Sequence, residues 1–273
     1  MPLDRRQILE LLDLARWAPS GDNTQPWRFE LLDEGGLRVH GSDTEAHCVY
    51  DYKGLPSRMA HGALLETLAI AAAAKGYAMQ FATASDGGSG HTAIYDIRFI
   101  EADAVVEQGL FDSIRKRTVN RRPMSLSPLT RAEREALEKS AGSQYQLHWI
   151  QAFAERLRFA RLLYQSAHIR LTIPEAFEVH RSVIEWGARF SNDRIPDRAV
   201  GLDPVATRLM QWVMGDWQRV RFFNRWLAGT VVPRIQLDFM PGICCAAHFV
   251  LRANIVAKTN RDFIEAGRAM QRV

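Results

Sequence analysis

Apolar positions recur at helical spacing from the start of the chain. Ile8, Leu11, Leu12 and Ala15 form one stripe behind Asp4, a plausible N-cap, and the helix is predicted to stop at Ala18-Pro19. The turn cluster Ser20-Gly21-Asp22-Asn23 then leads through Pro26 into a strand, Trp27 to Leu32, with Leu37 to His40 as its hairpin partner. From Arg58 to Lys75 the chain is small and apolar on most faces, with Met59, Ala63, Leu64, Leu68 and Ala71 on one side. This pattern predicts a buried helix able to pack closely on another helix or a dimer partner, ended by Gly76. Met79 to Thr83 and Thr92 to Ile100 read as strands, joined by the flexible connection Asp86-Gly87-Gly88-Ser89-Gly90.

The order then partly repeats. A helix from Thr130 to Ser140, a strand from Leu147 to Ile150, a long helix from Phe153 to Thr172 and a buried strand from Cys244 to Leu251 echo the first half. Between them lies a mostly helical insertion, about 173–240, with Trp186, Trp212, Trp217 and Trp226 as expected aromatic anchors. The predicted fold class is α+β, a mixed sheet flanked by helices in two related halves, 1–110 and 111–273. The chain ends at Val273 inside an amphipathic helical pattern, so the second half is expected to be truncated.

Charge adds little to this outline. The 35 basic residues nearly balance 31 acidic ones and are scattered, which argues against nucleic acid and leaves a bias towards anionic ligands. Arginine dominates, lysine occurring only at Lys53, Lys75, Lys116, Lys139 and Lys258, and arginine suits forked recognition of phosphate. Cys48, Cys244 and Cys245 make no disulfide framework, and Met1 to Glu10 lacks the apolar core of a signal peptide. No uncharged stretch reaches the ~20 residues of a membrane span, so a cytoplasmic protein is expected. Neither Cys244-Cys245-Ala246-Ala247-His248 nor the group His40, His47 and Cys48 has the spacing of a zinc site, and the apolar surroundings of the cysteines disfavour a nucleophilic thiolate. Asp51, Tyr52, Lys53 and Asn192-Asp193-Arg194 read as loops, either of which could border a substrate.

The most specific string is Ala18-Pro19-Ser20-Gly21-Asp22-Asn23-Thr24-Gln25-Pro26-Trp27. Prolines stiffen both ends, while hydroxyl and amide groups between them can donate and accept hydrogen bonds, as the polar edge of a flavin requires. It resembles the Ala-Pro-Ser-x-x-Asn-x-Gln-Pro-Trp signature of the nitroreductase superfamily, in which the loop lies beside FMN. A second run, Arg115-Lys116-Arg117-Thr118-Val119-Asn120-Arg121-Arg122-Pro123, could enclose a dianionic phosphate. It resembles the superfamily's phosphate-holding element, especially the Arg-Arg-Thr-x-Asn-Arg form of the tandem, Acg-like branch. In simple nitroreductases that element precedes the Ala-Pro-Ser loop, whereas here it opens the second half. Arg58 to Glu66 resembles the superfamily's central interface helix, and the match extends to Glu265 to Arg272.

The resemblance implies a nitroreductase-like fold with an internal pseudo-dimer, as a monomer or a homodimer. It implies one complete FMN pocket, since the second half has no Ala-Pro-Ser counterpart, and NADH or NADPH as electron donor to a nitroaromatic, quinone or similar flat small-molecule acceptor. Arg115, Arg117, Thr118 and Arg121 are then assigned to the phosphate, Ser20, Asn23 and Gln25 to the ring or ribityl chain, and Trp27 to packing of the pocket. No side chain is assigned as a catalytic acid, because hydride chemistry belongs to the cofactor. The alternatives are a flavin-binding or storage protein whose insertion covers the ring, and a degenerate interaction module without flavin.

Overall fold

A computed structural model describes residues 3–85, 92–102 and 108–273. Its first part comprises helix α1 (Arg5–Ala15), strands β1 (Trp27–Leu31) and β2 (Leu37–Ser42), helix α2 (Leu55–Ala73), strands β3 (Tyr77–Ser85) and β4 (Thr92–Glu101) and helix α3 (Gln108–Lys116). Then follow α4 (Arg131–Ala141), β5 (Tyr145–Ile150), α5 (Phe153–Arg170), α6 (Pro174–Val183), β6 (Ile184–Glu185), β7 (Ile195–Pro196) and α7 (Asp197–Val200). The last elements are α8 (Pro204–Val213), α9 (Trp217–Trp226), α10 (Val231–Arg234), α11 (Met240–Ile243), β8 (His248–Ala253) and α12 (Asn260–Arg272). The architecture is α+β, as expected. The glycine-rich connection Asp86 to Gly90 lies outside the described residues.

Local chemistry starts α1. Asp4 accepts the Gln7 amide at 2.8 Å while the Gln7 side chain accepts the Asp4 amide at 2.9 Å, closing a reciprocal cap. The helix ends at Ala15, before the predicted stop, and Trp17 and Ala18 form a turn ahead of Pro19. The four strands of the main sheet run in the order β1-β2-β4-β3, all antiparallel. Pairing of Leu37 with Ile97 and Val39 with Tyr95 places these four side chains on one buried face. α2 covers that face with Leu64, Leu65 and Leu68, and α1 adds Ile8 and Leu11. A helix apolar on most faces must be enclosed; α2 achieves this between the sheet, α1 and α12.

The α2–α12 contact is made backbone to backbone. A β-carbon at Gly62 would overlap the carbonyl oxygen of Ile264, and one at Gly267 would overlap the carbonyl oxygen of Met59. The relation is reciprocal, because each glycine sits over the carbonyl three residues before the other. Further along, Glu66 accepts from Arg268 Nε at 2.8 Å and pairs with Arg272 Nη1 at 3.1 Å. Arg272 also donates to the carbonyls of Ser140 and Ala141, which ties α4 to the same joint.

His61, beside Gly62, faces the sheet. Its Nε2 lies 3.2 Å from the Pro26 carbonyl and 3.0 Å from that of Ser42, so this nitrogen carries the proton; Nδ1 accepts from the Tyr95 hydroxyl at 3.0 Å. A β-carbon at Gly41 would come within 2.5 Å of the imidazole, so the absence of a side chain there makes room for the ring. Burial, and then the neighbouring Arg58 charge, lower the His61 pKa to about 4. The imidazole therefore stays neutral and clamps both ends of the β1–β2 hairpin to α2. Asp51 is likewise more than a loop residue: buried, it accepts from the amides and hydroxyls of Thr44 and Ser57 and so secures the start of α2.

The second part departs from expectation in two places. The strand predicted from Cys244 to Leu251 begins at His248 and runs to Ala253, paired with β5. The Cys244 carbonyl is taken by the Met124 amide at 2.7 Å, and those of Ile243 and Cys245 by Arg156 Nη1, so this backbone is turned away from any ladder. Nor are all four tryptophans anchors. Trp186 packs on the cluster of Val179, Val183, Ile184, Val200 and Leu202, and Trp217 lies 5.3 Å from the Phe177 ring. Trp212 and Trp226 are instead more than half exposed, each with an arginine over its face, Arg219 and Arg225. Among the described residues no helix is long and apolar enough to cross a membrane.

Two predictions follow from this packing. Gly267→Ala should destabilise the protein by about 3 kcal/mol or more in denaturant titration, whereas Gly109→Ala, where a β-carbon meets nothing within 4 Å, should change stability by less than about 1 kcal/mol. Equal, small effects would disprove a backbone-to-backbone crossing. The second concerns pH. Because His61 binds its proton only near pH 4 when folded but near 6.5 when unfolded, the unfolded state holds more protons between these values and stability falls as pH drops through them. Wild type should lose about 3 kcal/mol more than His61→Gln between pH 7 and pH 4, and parallel losses would refute the assignment.

Candidate functional site

The loop between α1 and β1 is held in an uncommon backbone conformation. Asp22, Asn23 and Gln25 all have positive φ, at 49°, 61° and 46°. Such residues cost of order 1–3 kcal/mol each and persist only where surrounding bonds over-determine them. Here Ser20 Oγ accepts the Gln25 amide at 3.0 Å and Thr24 Oγ1 donates to the Gly21 carbonyl at 2.9 Å. The Pro26 carbonyl is fixed from two sides, by the Ser42 amide and by His61. Trp27, buried at the start of β1, anchors the exit. The insertion completes the restraint: Asn23 Nδ2 donates to the Arg194 carbonyl at 3.0 Å and the Gln25 side-chain amide donates to the Asn192 carbonyl.

The basic run reaches the same place from the other side. Arg115, in the last turn of α3, pairs with Asp13 of α1 at 2.5 Å. Arg117 Nη2 donates to the Trp17 carbonyl at 3.1 Å, immediately before the strained loop. Arg121 Nη1 donates to the Ala199 carbonyl at 3.4 Å and Arg122 Nη2 to the Arg198 carbonyl at 3.2 Å, so this stretch runs along the insertion. Thr118 is exposed. Of the predicted residues, then, Ser20, Asn23, Gln25, Arg115, Arg117 and Arg121 are drawn around the end of α1 and the 192–199 segment, while Trp27 serves as packing. Among the described residues the guanidiniums of Arg117, Arg121 and Arg122 donate only to carbonyls, and Asp22 is the acid whose charge Arg121 feels. Partial desolvation also lowers the pKa of Arg117, although the residue stays exposed.

One group of side chains here was not anticipated from sequence. Burial raises the Asp22 pKa, a rise opposed by the charges of Arg121 and Arg170. Arg170 grips both carboxylate oxygens of Asp238, at 2.6 and 2.8 Å. Tyr50 and His180 are joined between phenol oxygen and Nε2 at 3.1 Å, with their rings stacked 5.7 Å apart. Burial, and then Arg170, push His180 down to about 4, while burial pushes Tyr50 up to about 12. Both are therefore neutral near pH 7, with the phenol donating to the imidazole. These residues carry no shared motif and come from segments far apart in the chain, so only the fold unites them.

The cysteines form no comparable centre. Cys245 is buried with its sulfur 3.3 Å from His248 Nε2, and burial raises its thiol pKa, which disfavours the thiolate.

Comparison with known proteins adds one match. Residues 1–52 fit the family model described as Nitroreductase family. No curated protein matches the chain. The matched span contains α1, the strained Ser20–Gln25 loop and the β1–β2 hairpin, and so supports a relation to the nitroreductase superfamily through the segment that builds the candidate site.

Proposed function

We propose that the protein binds FMN at the end of α1 and acts as an FMN-dependent oxidoreductase. The observation that carries this reading is the convergence of the strained loop and the basic run: Arg117 on the Trp17 carbonyl, Arg115 on Asp13, and Arg121 near Asp22. Guanidinium groups satisfied only by carbonyls suit a phosphate dianion, because they gain charge-assisted, forked bonds without first leaving a carboxylate. Arg117 meets that description, Arg121 donates to a carbonyl while lying near Asp22, and Thr118 is an exposed hydroxyl donor. Arg115 would hold phosphate at the expense of its pair with Asp13. Ser20 accepts through its oxygen and keeps a proton to donate, while Asn23 and Gln25 offer side-chain carbonyls towards a flavin edge or ribityl chain.

When bound, FMN supplies the two-electron chemistry, between NADH or NADPH and a nitroaromatic, quinone or similar flat acceptor. The chain's part is to orient and to exclude water. A loop already fixed in its conformation loses little entropy on binding, and the neutral Tyr50–His180 pair adds polarity near Asp22 without adding charge. We further propose that residues 1–110 and 111–273 are related halves forming an internal pseudo-dimer about α2 and α12, for which the reciprocal glycine contact is the support.

A specific contact favours a second reading, flavin storage without turnover. The insertion bonds directly to the loop through Asn192 and Arg194, so it is placed to act as a cover. Purified protein mixed with FMN and desalted should retain absorbance near ~450 nm. Arg117→Gln with Arg121→Gln should weaken retention at least about tenfold, the loss of one to two charge-assisted bonds, with unchanged thermal unfolding of the apoprotein. Equal retention by the double variant would overturn the phosphate assignment. Bleaching of bound flavin by NADPH, followed by recovery on adding a quinone, supports the enzyme; flavin that stays oxidised supports storage.

A further inference from the structure

We propose a second anion site, distinct from the flavin region, where α2 and α12 begin. A cavity of about 420 Å³ lies there, its walls including Arg58, Phe81, Thr83, Tyr95, Thr259 and Arg261. Arg58 is only 5% exposed, and its Nη1 is buried with no hydrogen-bond partner. Among the described residues no carboxylate pairs with its guanidinium. A charged group withdrawn from water is normally paired. Among the described residues its Nη1 therefore has no partner.

The helices make the deficit larger. Arg58 and Ile264 line the same cavity, Gly62 meets Ile264, and Glu66 meets Arg268 and Arg272. Contacts thus advance in step along both helices, and their N-terminal ends point the same way. Arg58 lies in the first turn of α2 and Arg261 is the second residue of α12, a 13-residue helix. A helix N-terminus favours anions, so arginine in a first turn carries the wrong charge unless an anion joins it. The neighbouring carboxylates are committed elsewhere, Asp51 to Thr44 and Ser57, and Asp262 to the amides of Lys258 and Thr259.

The lining defines the ligand's chemistry. Two guanidiniums and the α12 N-terminus suit the forked, multi-oxygen geometry of a phosphate group. The Thr259 hydroxyl accepts the Asp262 amide at 3.3 Å and bonds the Asp262 carboxylate, so it lines the cavity as part of the α12 cap. Phe81, Ala93 and Ile264 give the remaining wall apolar character, and the volume exceeds that of a bare phosphate. The ligand class is accordingly a small phosphorylated molecule with an apolar or flat remainder. The site does not rest on flavin binding.

The test uses the full chain and inorganic phosphate, followed by calorimetric titration. To exclude the flavin-phosphate region, binding is measured in the Arg121→Gln background, where one phosphate should still bind. Adding Arg58→Met should weaken that binding at least tenfold while leaving the melting temperature in phosphate-free buffer equal or higher, since an unpaired buried charge is removed. Adding Arg261→Gln instead should weaken binding at least threefold, an independent check should the Arg58 variant fold poorly. No binding in the Arg121→Gln background, or unchanged binding with Arg58 and Arg261 replaced, would overturn the proposal. Acetate binding as tightly as phosphate would overturn the assignment to phosphate. Flavin absorbance of the same proteins reports separately on the proposed oxidoreductase site.

Discussion

Two glycines let α2 and α12 meet backbone to backbone, and the rest of the structure is arranged around that contact. Gly62 and Gly267 admit each other's carbonyl neighbours at a distance that any side chain would prevent. Once the axes approach so closely, Glu66 can receive both Arg268 and Arg272, and Arg272 can reach the end of α4. The residue beside Gly62 is then directed at the sheet, where His61 bridges the Pro26 and Ser42 carbonyls. Position therefore passes from the crossing to α2, from α2 to the hairpin, and from the hairpin to the strained loop.

That chain of constraint explains how three non-glycine residues hold positive φ within five positions. Strain of this kind relaxes if either end of the loop is free. Here neither end is free, since Trp27 and the Pro26 carbonyl fix the exit and the insertion carbonyls of Asn192 and Arg194 fix the middle. The same insertion carries His180, which bonds Tyr50, and the helix before it ends in Arg170, so the insertion and its neighbour both brace the loop and furnish polar groups near Asp22. Movement of the insertion would accordingly alter loop conformation and site electrostatics together.

Much of this was legible in sequence where the governing physics is local. Asp4 as a cap, the paired prolines around Ser20 to Gln25, the Leu37 hairpin strand and the all-round apolar character of α2 each act within a few residues and each marks its element, although α2 starts at Leu55 rather than Arg58 and β2 runs on to Ser42. Long-range choices were not legible. The positive φ values fall on Asp22, Asn23 and Gln25, none of which announces itself as glycine does. The apolar run after Cys244 has no period that separates strand from turn, and its early carbonyls are claimed by Arg156 and Met124. Tyr50 and His180 are single residues in unrelated segments, and Trp212 and Trp226 exchange a core position for an arginine over the ring. Arg58 opens the helix predicted to be buried, but its missing hydrogen-bond partner emerges only from packing.

Where charge is left unmatched matters more than how much charge the chain carries. Net charge is small and the basic residues are scattered. The arginines nevertheless fall into distinct environments. Arg38, Arg170 and Arg268 are held by carboxylates and join elements of the fold. Among the described residues Arg117, Arg121 and Arg122 donate only to carbonyl oxygens, with Asp22 near Arg121. Arg58 lacks even that for its Nη1. Desolvation makes an unpaired charge demanding of an anion, and of these arginines Arg58 is the one that burial takes out of water. Arginines without a carboxylate bond among the described residues thus gather at two locations, one beside the loop that matches the nitroreductase model and one at the joint on which that loop depends.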